Sequence, residues 1–175
     1  NIYFVDNFIF ILIEWKKVII MNYWQISAEI GNTNLIDIFF DLGVAIVGPG
    51  DKGDYFDNKE EYDILGKEGI VIKRFAEEVK VGDVLILKQI NSRDGSFTIV
   101  AAGKVTSPYR FEPVFNKVGL DELPMQHCRR VKWYIPTDGL VIDKEGLSIG
   151  LQKLKDDSPL KIKAQEFMNE LKDEN

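Results

Sequence analysis

VGDVLILKQINSRDGSFTIVAAGKVT, residues 81–106, decides the architecture. Val81-Gly82-Asp83 reads as a turn, and Val84-Leu85-Ile86-Leu87 is a run of aliphatic residues with the length and composition of a strand. Asn91–Ser96 supplies a hairpin turn, and Phe97–Thr106 returns as a second strand. Gly103 inside that return marks a bulge or a close approach of another segment.

Working outward, Tyr23–Ser27 is a short strand with aromatic and β-branched residues. Asn32-Thr33-Asn34 offers helix caps, Leu35–Leu42 has a broad apolar helical face, and Gly43 fits a C-terminal stop. Val44–Val47 is a buried strand ended by Gly48-Pro49-Gly50. Residues 51–69 are polar, acidic and glycine-punctuated, which predicts a loop with a short helix, and a second helix covers about Ile72–Val79. Cys128–Tyr134 forms another strand, and Val141–Leu151 is a weak β or loop segment. Ser158-Pro159 starts a helix whose Leu160, Ala164, Phe167, Met168 and Leu171 make an apolar stripe that packs on the sheet. The pattern is α+β: a small, mostly antiparallel β barrel flanked by helices.

At 175 residues the chain has the size of one ordinary domain. One Cys and one His leave too few soft ligands for a structural zinc site, which needs about four. Lone Cys128 has no internal disulfide partner, so a cytoplasmic setting is expected. The net charge of −6 argues against non-specific attraction to nucleic acid, yet the charge is uneven. Residues 28–68 hold ten acids against Lys52, Lys59 and Lys67, whereas 101–135 hold six bases against Glu112, Asp121 and Glu122. Residues 1–20 are apolar but broken by Asp6 and Glu14. The stretch Phe8–Ile13 is far below the ~20 residues of a membrane span. Met21 reads as a natural start, and 1–20 as a non-native or peripheral extension.

Certain segments then fall in a specific order. Tyr23-Trp24 opens the first strand, and a helix leads into Gly43-Val44-Ala45-Ile46. Phe75–Val84 (FAEEVKVGDV) follows, then Ala102-Gly103-Lys104-Val105, and late in the chain Gln126–Trp133 (QHCRRVKW). This set resembles the EVE-type branch of the PUA-like superfamily, related to YTH domains and to the modified-base readers of McrB-type restriction systems. The resemblance covers about Met21 to Pro136, leaving 137–175 as an extension whose helix packs on the same domain. It implies a PUA-like pseudobarrel with an aromatic-lined pocket for a flipped, modified base, in DNA before RNA, with a role in restriction or defence. Relatives often place Trp after the second-strand Gly, where this chain has Gly48-Pro49-Gly50. No AAA+ motor follows the domain, so the chain is expected to act alone, to recruit a separately encoded nuclease or motor, or to be a fragment.

The expected base pocket takes Trp24, Ser27, Gly48, Pro49 and Tyr109. Trp24 and Tyr109 are either stacking walls or packing aromatics, and Ser27 with the Gly48 backbone would read base edges. Contacts to the nucleic-acid backbone fall to Lys73, Arg74, Arg110, His127, Arg129, Arg130 and Lys132. Adjacent strand residues point to opposite faces, so Arg130 pairs with Lys132 on an exposed edge. Arg129 lies beside Val131 and Trp133 and needs an acid or a ligand as its partner. His127 either donates to phosphate or holds the structure.

Catalysis is not expected. No Gly-x-Ser-x-Gly elbow, P-loop or dinucleotide fingerprint occurs, and His127 stands alone. A nuclease of the D…ExK type is the sharper enzymatic rival, through Asp63 and Glu78-Val79-Lys80, but these lie at a helix end rather than in a core strand. No cofactor is implied. The alternatives to a DNA reader are an RNA-binding PUA-like protein and a scaffold that binds a protein partner.

Overall fold

The structure, a computed structural model, describes residues 21–90, 96–120, 122–142 and 150–173. Its strands are β1 (Tyr23–Ile26), β2 (Glu29–Ile30), β3 (Thr33–Asn34), β4 (Val44–Val47), β5 (Val84–Ile90), β6 (Phe97–Val105), β7 (Arg110–Phe111), β8 (His127–Tyr134), β9 (Leu140–Ile142) and β10 (Gln152–Lys153). Its helices are α1 (Ile36–Asp41), α2 (Lys59–Asp63), α3 (Lys67–Lys73) and α4 (Pro159–Asp173). A π-helical turn, Arg74–Glu78, prolongs α3, and a 3₁₀ turn spans Pro113–Phe115. The expected turn Asn91–Ser96, apart from Ser96, the extension 1–20 and most of the weak segment 141–151 lie outside the described residues.

The main sheet runs β10-β1-β5-β6-β8-β4, with β7 added to β8 and β9 to β6. Every pair is antiparallel except β1 with β5. The sheet curls because its long strands divide their edges between partners. β8 meets β4 through His127–Arg130 and β6 through Val131–Tyr134, while β6 meets β8 through Ala102–Val105 and β9 through Phe97–Ile99. A register shift between Leu87 and Lys88 adds a bend. The result is a half-barrel of α+β class.

Burial explains why β5 is a solid apolar run. Leu85 and Leu87 face the barrel interior with Trp24, Ile26, Phe39 and Val131, whereas Val84 and Ile86 face outward beneath α4, with Leu160, Ala164 and Met168. Both faces are covered, so no polar alternation is needed. Ser158 caps α4 as read: its Oγ accepts from the Lys161 amide at 3.4 Å. Gly103 is a close approach, because a Cβ there would lie 2.4 Å from Trp133 Cε3.

The second helix begins earlier than expected, at Lys67 rather than about Ile72. Gly69 suggested loop, yet it is a packing residue, since a Cβ would lie 1.9 Å from the Tyr62 carbonyl oxygen. Asp83, within the expected turn, is buried and ties the start of β5 to β1. Its carboxylate accepts from Asn22 N and Nδ2, from Trp24 Nε1 at 2.9 Å and from Lys80 N. Among the described residues no helix is long and apolar enough to cross a membrane.

Candidate functional site

Three chain segments leave the barrel at one end and frame a hollow. Ile26-Ser27 ends β1, Ile46-Val47-Gly48 ends β4, and Gly150-Leu151 precedes β10. The β2–β3 hairpin, Val71 on α3 and Met125 complete the wall around a cavity of about 320 Å³. That volume lies in the range of small-molecule pockets. Its floor is aliphatic and buried: Ile26, Ile46, Val47, Met125 and Leu151. Its rim is polar, with Ser27, Glu29, Lys67 and Glu68. Ser27 Oγ closes a local turn with the Glu29 amide and carbonyl, both at 3.1 Å. Gly48 is held close, since a Cβ would meet the Pro124 oxygen at 2.5 Å and Met125 Sδ at 2.7 Å. Such a hollow offers apolar walls and a few polar atoms at its edge. Two further clefts, of about 340 and 510 Å³, flank the start of α4. Lys153 and Lys155 line both, Asp157 lines the first, and Asp156 lines the second, where it pairs with Lys161 at 2.5 Å.

One residue along the chain, the environment reverses. The Pro49 carbonyl accepts from His127 Nε2 at 3.1 Å, which fixes the proton of the imidazole on that nitrogen. Nδ1 is then the acceptor, and Tyr109 Oη donates to it at 2.7 Å. The same phenol oxygen accepts from the Tyr55 amide at 3.1 Å. The rings of Tyr62, Tyr109 and Phe111 surround the imidazole at centroid distances of 5.1, 5.8 and 5.6 Å. Tyr62 Oη donates to the Gly53 carbonyl, pinning the same loop from behind. Burial pushes the His127 pKa down to about 4, against weaker upward pulls from the Pro49 carbonyl, Asp54 and Asp51. Burial likewise raises the phenol of Tyr62 to about 12 and raises that of Tyr109. Each group is held in its neutral form.

Arg129 completes this sealed region. Its Nε donates to Phe75 O at 2.8 Å, Nη2 to Ala76 O at 3.0 Å and Nη1 to Ser107 O at 3.3 Å. Two of these carbonyls belong to the π-helical turn, at the end of a helix where partial negative charge collects. The partner that a buried Arg requires is therefore backbone, neither acid nor ligand. Burial lowers its pKa to about 10, which still leaves it charged at neutral pH.

Of the five pocket candidates, the structure brings Ser27 and Gly48 together. Trp24 is 1% exposed in the barrel core with its indole N–H on Asp83, so it is not a pocket wall. Tyr109 packs between Phe56 and His127, with its hydroxyl committed on both sides, and lies off the pocket lining. Pro49 turns its carbonyl to the sealed cluster. Among the expected backbone contacts, His127 and Arg129 are buried and spent internally. Lys73 pairs with Asp63 at 3.8 Å and Arg110 with Glu112 at 2.9 Å. Arg74 Nη1 donates to the Leu151 carbonyl, so it braces the pocket wall. Arg130 and Lys132 are exposed, as read, with Arg130 Nη1 on the Leu42 carbonyl at the end of α1.

Asp63, Glu78 and Lys80 form no carboxylate cluster: Asp63 faces Lys73, and Lys80 Nζ donates to the Glu77 carbonyl. Among the described residues no three His, Cys, Asp or Glu side chains converge as a metal site would require. The pocket residues that the sequence reading missed include Ile26, Ile46, Val47, Val71, Met125 and Leu151, with Glu29, Lys67 and Glu68 at the rim. The aliphatic ones carry no signal of residue type that separates a pocket wall from a core.

A family model described as a domain of unknown function (DUF8426) matches residues 24–158. No curated protein matches the chain.

Proposed function

The chain belongs to that family, and we propose from its geometry that it is a PUA-like module that reads a base in nucleic acid. The open aliphatic pocket at the barrel end, with Ser27 and Gly48 on its lining, is the observation that carries this reading. A base swung out of a duplex costs a few kcal/mol of unstacking and presents a flat group with polar edges. The hollow matches those demands with apolar walls and a polar rim. Aromatic walls are replaced by Ile26, Val71, Met125 and Leu151, so affinity for the base rests on burial and shape rather than on ring stacking. Exposed Arg130 and Lys132 supply contacts to the phosphate backbone. We place modified DNA before RNA as the target, with restriction or defence as the setting and any nuclease or motor supplied by another chain.

The test is a fluorescence-anisotropy titration of the full chain against matched duplexes carrying 5-methylcytosine, N6-methyladenine or no modification, at two salt concentrations. Val71→Phe, which fills the pocket from α3, serves as the blocking variant. Modification-dependent binding that is lost in Val71→Phe supports the reader. Equal and negligible binding to every duplex overturns the DNA reading. A scaffold that binds a protein partner is the second reading, favoured by the aliphatic lining and the net charge of −6.

A further inference from the structure

The hollow ends where a second surface begins. Ile26 and Leu151 line the hollow, and the residues adjacent to them, Gln25 and Gln152, line the smaller of the two clefts at the start of α4. Lys153 and Lys155 line both clefts, and Lys161 lines the larger. In the β1–β10 pairing Lys153 lies opposite Trp24, two residues or about 7 Å along the strand from Ile26. These lysines lie beyond Pro136, outside the segments whose order carries the resemblance.

The lysines are held in place. Leu154 N donates to the Tyr23 carbonyl at 2.8 Å, which fixes the chain between Lys153 and Lys155. Lys153 Nζ stands 6.0 Å from the centre of the Trp24 ring, and Lys161 Nζ stands 5.5 Å from that of Tyr23. The Lys161 side chain is only 12% exposed, whereas its partner Asp156 is fully exposed and free to turn to water. Among the described residues no carboxylate comes within 4.0 Å of Lys153 or Lys155. A fourth lysine, Lys88, donates to Gln25 at the edge of the first cleft at 2.8 Å. In a chain of net charge −6 a polyanion needs a local surface of this kind to approach at all.

We propose that Lys153, Lys155 and Lys161 form a phosphate-binding surface that grips the nucleic-acid strand beside the hollow. This deepens the function proposed above and rests on its nucleic-acid partner, but not on which base is read. Each ammonium offers three donors to phosphate oxygens and displaces counterions from the strand. The contribution is independent of sequence and of modification.

The experiment titrates the full chain with the modified and unmodified duplexes at 50 and 200 mM salt. It compares wild type with Lys153→Ala, Lys155→Ala, Asp156→Asn and, as a control for net charge, Lys163→Ala. Lys163 is on α4, outside both clefts, and pairs with Glu166. Lys153 and Lys155 are exposed, so their variants should keep the wild-type urea midpoint. Each should weaken binding to every duplex and lower the salt slope by about 1, so that its deficit shrinks about three- to fourfold between the two salts. Asp156→Asn should tighten binding about twofold, since it removes the competing carboxylate. A wild type that prefers the modified duplex, with both lysine variants matching it in affinity and slope, overturns the lysine surface and leaves the reader standing. An equal loss in Lys163→Ala also overturns it, because net charge would then suffice. A wild type that binds all duplexes alike, with slopes that fall in the lysine variants, supports the surface and overturns the base reading. Negligible binding to every duplex overturns both.

Discussion

Two regions meet at the Gly48–Pro49 peptide and use residue types in opposite ways. On the Gly48 side lies an open hollow walled by Val, Ile, Leu and Met. On the Pro49 side, His127, Arg129, Tyr62 and Tyr109 are sealed into bonds with one another and with backbone carbonyls. Residue types that signal chemistry in a sequence are spent here on holding the loop that follows β4, and the space left for a ligand is lined by side chains that signal only a core. A polar group removed from water must find a partner, and in this chain the nearest partners are internal. The comparison is sharp enough to be broken by experiment.

The largest effect is expected at Trp24. Trp24→Ala empties a core site and takes the indole donor from Asp83, so it should cost about 4 kcal/mol of stability, seen as a lowered urea midpoint. Val71→Phe should cost no more than about 1–2 kcal/mol, because its ring enters space that is already open. A Trp24→Ala protein that keeps its midpoint and loses only ligand binding would place Trp24 at the site and break the division between core and pocket.

Acid tests the sealed side. His127 is held neutral with a pKa of about 4, against about 6.5 in an unfolded chain. Between these values the unfolded state binds a proton that the folded state refuses. Stability contributed by the buried imidazole is thus complete above pH 6.5 and is lost as pH falls to 4, by about 3 kcal/mol. Protonation would put a donor on Nδ1 facing a phenol oxygen that already accepts from Tyr55 N. Tyr109→Phe should cost about 1–2 kcal/mol at pH 7. It removes the phenol donor to Nδ1 but leaves the burial that holds the His127 pKa down, so the loss between pH 6.5 and 4 should persist in the variant. Urea melts of both proteins across that window check the sign, and a variant whose stability no longer falls between pH 6.5 and 4 would make the phenol, not burial, the cause of the low pKa.

How much of this was legible depends on what a residue type can reveal. β4, β5, β6, β8 and α4 were readable because their apolar runs and stripes have one physical explanation, burial against the barrel. The early start of α3 was not, since Gly66 and Gly69 read as loop punctuation and the need for a bare Cα beside the Tyr62 carbonyl exists only in three dimensions. Ser27 and Gly48 line the hollow because they follow β1 and β4 at that end of the barrel, although nothing in the sequence alone marked them as its lining. Trp24 and Tyr109 were misplaced because an aromatic ring with a polar atom looks the same in sequence whether that atom meets a ligand or, as here, Asp83 and His127. Arg129 showed its need for a partner but not the partner, because free carbonyls at the end of a π-helical turn leave no mark on the sequence.

The smallest effect should come from the exposed edge of β8. Arg130 and Lys132 are both exposed, with Arg130 touching the Leu42 carbonyl at 2.9 Å and Lys132 lying over the Tyr134 ring at 5.3 Å. Replacing either with Ala should change stability by no more than about 0.5 kcal/mol, because exposed groups of this kind keep their hydration in both states. If they meet phosphates, each substitution should weaken binding equally for modified and unmodified duplexes and reduce the salt slope of log K by about 1. Val71→Phe, by contrast, should erase the preference for modification and leave the salt slope intact. The two variants thus separate the term that reads the base from the term that holds the strand. If Arg130→Ala altered modification preference and Val71→Phe altered only the salt slope, the pocket and the basic edge would have exchanged roles.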